Sequence, residues 1–151
     1  DDVIPKKLER ETRDSLIKQA MSIGLEVVTE VGSKSPDPNK PLNVKEALAT
    51  LEADLKAGAT KVTVENSDTV ILREKNPQAL INLTNAIGLD KLVFEIGPGG
   101  GGVRDLGVWL LNTVSRDISV QNLELGEDCV LLDGYRRGFG REVDYDFFGK
   151  K

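Results

Sequence analysis

The sequence predicts an α/β protein built on a parallel sheet, and two observations lead to this fold class. Short hydrophobic runs of strand length alternate along the chain with longer segments of helical character, in the order α-β-α-β-α-β-α-β-α. Glycines close three of the helical segments, at Gly24, Gly58 and Gly88. Strands that alternate with helices form right-handed βαβ units on a parallel sheet. These pieces fit either a doubly wound sheet or part of a (β/α) barrel.

Helix-start signals and hydrophobic runs set the boundaries of each predicted element. Pro5 suits the first turn of the first helix, in which apolar or small side chains recur every four residues. Asn43 followed by Glu46 resembles a capping box, and Asn76 with Pro77 marks another helix start. In chain order, the predicted elements are helix 5–23, strand 25–31, helix 44–57, strand 61–65, helix 77–87, strand 91–95, helix 103–115, strand 118–125 and helix 128–137.

The remaining segments are predicted to be loops. Residues 32–41 contain three prolines, residues 66–75 are mostly polar, and residues 97–102 contain five glycines. The tail, residues 141–151, is aromatic and charged, and no element is predicted for it.

Length and charge restrict the kinds of partner that the chain can have. Its 151 residues suffice for one domain with a hydrophobic core, and 39% hydrophobic with 30% charged residues are typical of a globular protein. The net charge of −5 argues against nucleic acid, whose phosphates require a basic surface. No apolar run approaches the roughly 20 residues of a membrane helix, and no signal peptide is visible. We therefore expect a cytoplasmic protein with no membrane partner.

Cysteine and histidine contribute little to the possible chemistry. Cys129 is the single cysteine, which excludes an internal disulfide and a cysteine-based zinc site and fits a reducing cytoplasm. The chain has no histidine, so histidine-based triads, metal ligands and acid–base catalysis are excluded as well. Any catalysis must therefore use lysine, arginine, tyrosine, carboxylates, backbone amides or a metal held by oxygen ligands.

Three of the predicted strands have a glutamate at or near their C-terminal end. These are Glu30 in VVTE, Glu65 in VTVE and Glu95 in LVFE. Parallel strands end at one edge of the sheet, where α/β proteins place their sites. Three acids without histidine indicate a hard cation held by oxygen, and Mg²⁺ is the expected one. The alternative is that each glutamate caps a loop or pairs with a lysine or arginine at the rim.

Several polar residues near these strand ends are further candidates. Lys34 follows Glu30 closely and could donate a proton or bind a substrate anion, or it could be a solvated loop lysine. Asn122 could face the site or lie at a loop edge. Arg136 and Arg137 are adjacent in a predicted helix, so at most one of them can point into a site.

The glycine run has two interpretations. Backbone N–H groups of Gly99, Gly100 and Gly101 lie before a predicted helix start and could cradle a phosphate. The run nevertheless lacks the Lys-Ser/Thr of a P-loop and the GxGxxG spacing of a nucleotide fold. The other interpretation is a mobile loop, because consecutive glycines are entropically costly to order.

Five segments together resemble the phosphosulfolactate synthase family, and the similarity extends over nearly the whole chain. The segments are VVTEVGSKSPD (27–37), DLKAGATKVTVE (54–65), DKLVFE (90–95), QNL (121–123) and YRRGF (135–139). The resemblance implies a (β/α)8 TIM barrel in which residues 1–151 form a single domain, the C-terminal half, and supply about strands 5–8. The N-terminal half is then absent from this chain. We therefore expect that this sequence is a fragment of a longer chain, that a partner half-barrel supplies the rest, or that the half forms a homo-oligomer.

The resemblance also implies an activity. Family members are lyases that use Mg²⁺ to add sulfite to phosphoenolpyruvate, giving (2R)-phospho-3-sulfolactate in coenzyme M biosynthesis. By this resemblance Lys34 is the proton donor, Glu30 lies beside it as a second catalytic residue, and Glu65 and Glu95 hold the metal. The residues expected to bind the small phosphorylated substrate are Glu65, Asn122, Arg136, Arg137, Gly99, Gly100 and Gly101.

Two loops depart from the family pattern. After Glu65 the chain reads ENSDT, without the arginine that family members carry in this loop. After Glu95 it reads EIGPGGGG, where family members carry EAP followed by lysine and glutamine. These departures give the alternative hypothesis: a non-catalytic or re-purposed barrel relative that acts by binding or assembly, or a lyase that acts on another phosphorylated enol or carboxylate.

Overall fold

A computed structural model describes residues 8–97 and 101–143 of the chain. These residues form six α-helices, four strands and one π-helical turn. In chain order the elements are α1 (Arg10–Ser22), β1 (Val28–Val31), α2 (Val44–Ala57), β2 (Lys61–Val64), α3 (Asn66–Lys75), α4 (Pro77–Ile87), β3 (Leu92–Glu95), the π turn (Val103–Gly107), α5 (Val108–Thr113), β4 (Ser119–Gln121) and α6 (Glu127–Arg136). No helix of this described part is both long and apolar enough to cross a lipid bilayer.

The four strands form one parallel sheet in the sequential order β1-β2-β3-β4. This confirms the predicted α/β class with a parallel sheet. A doubly wound sheet reverses its strand order at a switch point, and these four strands show no reversal. The sheet is therefore compatible with part of a (β/α) barrel.

The two faces of the sheet have different chemistry, because side chains alternate between faces along each strand. One face carries Val62, Val64, Leu92 and Phe94, all nearly fully buried against leucines of α2, α3 and α4. This face forms the hydrophobic core. Strand register places Glu30 opposite Thr63 and Glu95 opposite Gln121, on the other face. Except for Thr29, which is in register with Val62, the polar residues of the strands thus lie on the face away from the helices.

Residues 66–75 form helix α3, so the prediction of a polar loop for this segment was wrong. The first turn of α3 is polar, but it buries Asn66, Asp68 and Thr69 against the rest of the domain, and Leu72 enters the core. Asn76 separates α3 from α4 with φ −154° and ψ 67°, because a residue before proline avoids helical geometry. Tertiary contacts therefore stabilise a helix that local sequence signals do not mark.

The other elements follow the prediction with shorter ends. Strand β1 begins at Val28 and β4 ends at Gln121, whereas strands 25–31 and 118–125 were predicted. Helix α1 begins at Arg10, and the first part of the predicted helix 5–23 lies outside the described residues. The helix predicted over 103–115 is divided into the π turn and α5.

Candidate functional site

The glutamates that end three strands converge at one edge of the sheet, as predicted. Glu30 lies in β1, Glu65 directly follows β2 as the N-cap of α3, and Glu95 is the last residue of β3. One carboxylate oxygen from each lies within 4.8 Å of the other two. We call these three residues the carboxylate cluster. Parallel strand pairing produces the cluster, because it aligns the C-terminal ends of neighbouring strands.

Electrostatic repulsion within the carboxylate cluster favours a bound proton or cation. Burial raises the pKa of Glu65, and the adjacent Glu30 carboxylate raises it further. Burial also raises the pKa of Glu95, and the neighbouring Glu65 adds to that effect, while the positive charge of Lys34 and a hydrogen bond from Asn122 act in the opposite direction. Lys34 lies in the loop that follows β1, at this same edge of the sheet.

The donor atoms of the cluster fit a hard divalent cation. Oε2 of Glu65 and Oε2 of Glu95 are buried and have no hydrogen-bond partner among the described residues. A buried acceptor without a partner costs free energy, which a cation would recover. All of the donors are carboxylate oxygens, the type that Mg²⁺ prefers. The three glutamates therefore have the chemistry and the unsatisfied atoms of a metal site.

Asn122 supports the cluster from the end of β4. Its Nδ2 donates to Oε1 of Glu95 at 2.9 Å. Its φ of 64° lies in the left-handed region, which asparagine tolerates better than most residues. A non-glycine residue in this conformation next to a carboxylate cluster is typical of a functional site. The structure thus brings Asn122 together with the cluster.

The loop after β3 is fixed to the start of α3 by a side chain. Oδ1 of Asn66 accepts a hydrogen bond from the backbone N–H of Gly97 at 3.1 Å. A Cβ atom at Gly97 would lie 3.3 Å from Nδ2 of Asn66, so a larger residue would require the asparagine to move. This contact connects the residues after Glu65 with those after Glu95.

The predicted glycine cradle is described only at its end. Gly99 and Gly100 lie outside the described residues. Gly101 has a φ of 77°, and a Cβ there would approach the Cβ of Asp105 to 2.7 Å, so this position requires glycine. Asp105 itself pairs with Arg73 at 2.7 Å.

The two arginines of α6 lie away from the cluster. A guanidinium nitrogen of Arg136 donates to the carbonyl oxygen of Ile118, which precedes β4. Arg137 pairs with Asp133 of the same helix at 2.9 Å. A helix that follows a strand in a βα unit runs back along it, so the end of α6 lies near the start of β4. Both arginines therefore bind groups other than the carboxylates of the cluster.

An open cavity of about 500 Å³ lies beside the end of β1. Residues of α1, α2 and the β1–α2 loop line it, and it contacts Glu30, Ser33 and Asp68. Glu65, Glu95 and Lys34 do not line this cavity. It adjoins the cluster without containing it.

A sequence profile described as (2R)-phospho-3-sulfolactate synthase (ComA) matches residues 5–141, which is most of the chain. The chain belongs to this synthase family. The predicted resemblance to phosphosulfolactate synthases is thus confirmed.

Two curated members of the synthase family match most of this chain. The phosphosulfolactate synthase of Methanocaldococcus jannaschii is 33% identical over 147 residues, which cover 93% of this chain and 55% of the relative. The phosphosulfolactate synthase of Methanothermobacter thermautotrophicus is 25% identical over 139 residues, which cover 87% of this chain and 52% of the relative. The chain spans about half the length of the curated synthases that it matches.

The sequence analysis did not identify three polar residues that lie near the carboxylate cluster. Asn66 and Asp68 lie in α3, the helix that was read as a loop. Gln121 lies on the same sheet face as the cluster and accepts a hydrogen bond from Thr63 at 3.3 Å. Asn66 and Asp68 come shortly after Glu65, and Gln121 is the last residue of β4. These positions in the sequence could have identified them.

Proposed function

We propose that this protein provides the site of a phosphosulfolactate synthase, a lyase that adds sulfite to phosphoenolpyruvate and gives (2R)-phospho-3-sulfolactate. The observation that carries the proposal is the carboxylate cluster at the C-terminal edge of a parallel sheet, with the charge of Lys34 beside it. Family membership supports the reaction class. In this proposal the protein acts in the cytoplasm, in coenzyme M biosynthesis.

In the proposed site, Glu65 and Glu95 hold Mg²⁺. Both have a buried oxygen without a hydrogen-bond partner among the described residues, and both have a raised pKa that a bound cation would lower again. When bound, Mg²⁺ supplies positive charge for the negative charge that develops on the substrate carboxylate. Asn122 orients Glu95 through its hydrogen bond.

In the proposed reaction, Lys34 is the proton donor. The sulfur lone pair of sulfite forms a carbon–sulfur bond with the methylene carbon, and the electrons of the carbon–carbon double bond move towards the carboxylate. The ammonium group of Lys34 then delivers a proton to the adjacent carbon, which completes the addition. Glu30, whose carboxylate lies within 4.8 Å of those of Glu65 and Glu95, is assigned to proton exchange with the lysine.

Substrate binding in this proposal uses groups at the same edge of the sheet. Asn122 and Glu65 line the position next to the metal. The loop with Gly99, Gly100 and Gly101 receives the phosphate through its backbone N–H groups. Arg136 bonds to the carbonyl oxygen before β4 and Arg137 pairs with Asp133, so neither is assigned to the substrate in this proposal.

The proposal includes a second set of strands that closes the barrel, from the remainder of a longer chain, from a partner half-barrel or from another copy of this chain. Apolar side chains are exposed near both outer strands of the sheet. On the β1 side these are Leu16, Ile23, Leu25 and Val28, and on the side of β4 and α6 they are Leu125, Val130 and Phe139. Outer strands of a four-stranded parallel sheet also leave backbone groups unpaired. Both features favour a covering partner.

A product assay tests the proposed activity. The purified protein, with any partner that co-purifies, is incubated with phosphoenolpyruvate, sulfite and Mg²⁺. We expect Lys34→Ala to lower turnover at least about 100-fold, the usual contribution of a general acid, and Lys45→Ala, an exposed lysine of α2, to leave it unchanged. Equal turnover of wild type and Lys34→Ala would remove the role of Lys34. A wild type without turnover would favour the binding protein or another phosphorylated enol as substrate.

A further inference from the structure

The loop that carries Lys34 is attached to the first turn of α3. The backbone N–H of Ser33 donates to Oδ2 of Asp68 at 2.6 Å. The hydroxyl of Ser67 donates to the carbonyl oxygen of Lys34 at 3.2 Å. Two consecutive residues of α3 thus bind two consecutive residues of the loop, about 35 positions earlier in the chain.

Asp68 is suited to a fixed contact of this kind. Its exposure is only 2%, and a carboxylate buried this deeply is costly unless hydrogen bonds satisfy it. It is the third residue of α3, where the positive end of the helix dipole stabilises a negative charge. A hydrogen bond from a backbone N–H to a charged carboxylate is also stronger than one between neutral groups.

Gly32 brings the same loop into direct contact with Glu65. The glycine has a φ of 122°, and a Cβ there would lie 2.6 Å from the Cβ of Glu65 and 2.7 Å from Oδ2 of Asp68. The backbone N–H of Glu65 also donates to the carbonyl oxygen of Val31 at 3.0 Å. The loop therefore has no space to shift towards α3, and its distance from Glu65 is fixed.

We infer that Asp68 is a positioning residue, which holds the loop at residues 33–34 against α3 and so sets the location of Lys34 relative to the carboxylate cluster. One helical turn then carries Glu65 at its start and anchors Lys34 through Asp68. This inference rests on the proposed function, since the role of Lys34 as proton donor is part of that proposal.

Limited proteolysis tests the anchor directly, because trypsin cleaves the bond between Lys34 and Ser35 when the loop opens. We expect Asp68→Ala to accelerate this cleavage about tenfold or more, with faster hydrogen exchange over residues 32–36, since a hydrogen bond to a buried charge is lost. Asp68→Asn, which keeps an acceptor oxygen, should restore most of the protection. If the alanine variant does not fold, Ser67→Ala takes its place, because it removes the hydroxyl that bonds to the carbonyl oxygen of Lys34 and should also accelerate cleavage after Lys34.

Leu83→Ala is the matched control, because it weakens the buried core in α4 without touching the loop. Its cleavage should rise equally at all tryptic sites, whereas Asp68→Ala should open Lys34–Ser35 selectively. Selective opening supports the inference, and a rate no higher than in the Leu83→Ala control overturns it.

The product assay separates this inference from the proposed function. If the wild type turns over phosphoenolpyruvate and sulfite, Asp68→Ala should lower kcat about tenfold or more and change KM much less, because a displaced proton donor affects the chemical step. An unchanged kcat with an open loop overturns the positioning role. If the wild type is inactive, the proposed function fails, and the cleavage rates alone decide whether Asp68 anchors the loop.

Discussion

The buried negative charge of Glu65, a single residue of the carboxylate cluster, lowers the stability of the fold. Its carboxylate is almost fully buried, and burial together with the adjacent Glu30 raises its pKa. A carboxyl group whose pKa is higher in the folded state binds its proton more tightly there, so this group's contribution to stability increases as pH falls through the raised pKa. At neutral pH the cluster therefore destabilises the metal-free protein, and a cation should relieve that effect.

Glu65→Gln should stabilise the metal-free protein and abolish its response to Mg²⁺. Removal of one of three close charges should raise the free energy of unfolding by about 1 kcal/mol at pH 7. In the wild type, Mg²⁺ at 100 times its Kd should add about 2.7 kcal/mol, which the variant should lack. Thermal unfolding with and without Mg²⁺ measures both effects, and Glu52→Gln, an exposed glutamate of α2, is the control. A variant that Mg²⁺ stabilises as strongly as the wild type would refute this assignment.

The pKa of Asp54 is shifted in the opposite direction from that of Glu65. Asp54 is fully buried, and although burial raises its pKa, the guanidinium groups of Arg13 and Arg10 outweigh that effect and hold the pKa below its ordinary value of 3.8. Arg13 also donates to the carbonyl oxygen of Glu30 at 3.0 Å, so this ion pair supports β1 at the cluster. A carboxyl group with a lowered pKa stabilises the fold above its unfolded pKa, and that contribution is lost as pH falls through the folded pKa.

Asp54→Asn should destabilise the protein by about 3 kcal/mol at pH 7, because it leaves two arginines without their buried partner. The difference from the wild type should shrink as pH falls below about 4, where the carboxylate of the unfolded chain takes up its proton, and should shrink further as pH falls through the lower pKa of the folded state. Denaturant unfolding at pH 7 and at pH 3 measures this. A difference that is the same at both values would show that the ion pair does not account for the loss.

At the scale of elements, the connection from β1 into its loop depends on Gly32. Gly32→Ala should reduce stability by about 3 kcal/mol, because a positive φ and a close contact with Glu65 both oppose a side chain. Gly24→Ala is the matched control: its φ of 85° is also positive, but no atom lies within 4 Å of the added Cβ. The control should cost about 1 kcal/mol. If denaturant unfolding shows the same loss of stability for Gly32→Ala and Gly24→Ala, the close contact with Glu65 does not contribute to the loss at Gly32.

The elements also show what sequence can predict here and what it cannot. The convergence of Glu30, Glu65 and Glu95 follows from parallel strands that end alike, so it was predictable without coordinates. Helix α3 was not, because its polar first turn is stabilised by contacts with distant loops. The anchoring role of Asp68 depends on a partner 35 positions away in sequence. The placement of Arg136 depends on the direction of α6, which adjacency to Arg137 does not reveal.

At the scale of the whole molecule, the four-stranded sheet resembles an open half of a closed structure. The chain spans about half the length of the curated synthases that it matches. Exposed apolar side chains, among them Val28 and Leu125, lie near the two outer strands. The polar sheet face that carries the cluster would line the interior of a closed barrel.

Native mass spectrometry tests this arrangement of the whole molecule. We expect a particle larger than one chain, because a second set of strands would pair the edges of β1 and β4 and cover the apolar residues near them. Val28→Lys should weaken the assembly by placing a charge at the β1 edge. The control is Lys18→Glu, a charge reversal on the outside of α1. A stable, active particle of a single chain would contradict the closed-barrel account.

The cation at the carboxylate cluster is the central claim, and a crystal structure of the protein soaked with Mn²⁺ tests it most directly. Manganese replaces magnesium at oxygen sites, and its anomalous scattering locates the ion without reference to the surrounding density. The account predicts an anomalous peak bound by carboxylate oxygens of Glu65 and Glu95, which disappears in Glu65→Gln. Crystals of the wild type in which the cluster has no peak, while Mn²⁺ binds elsewhere, would contradict it.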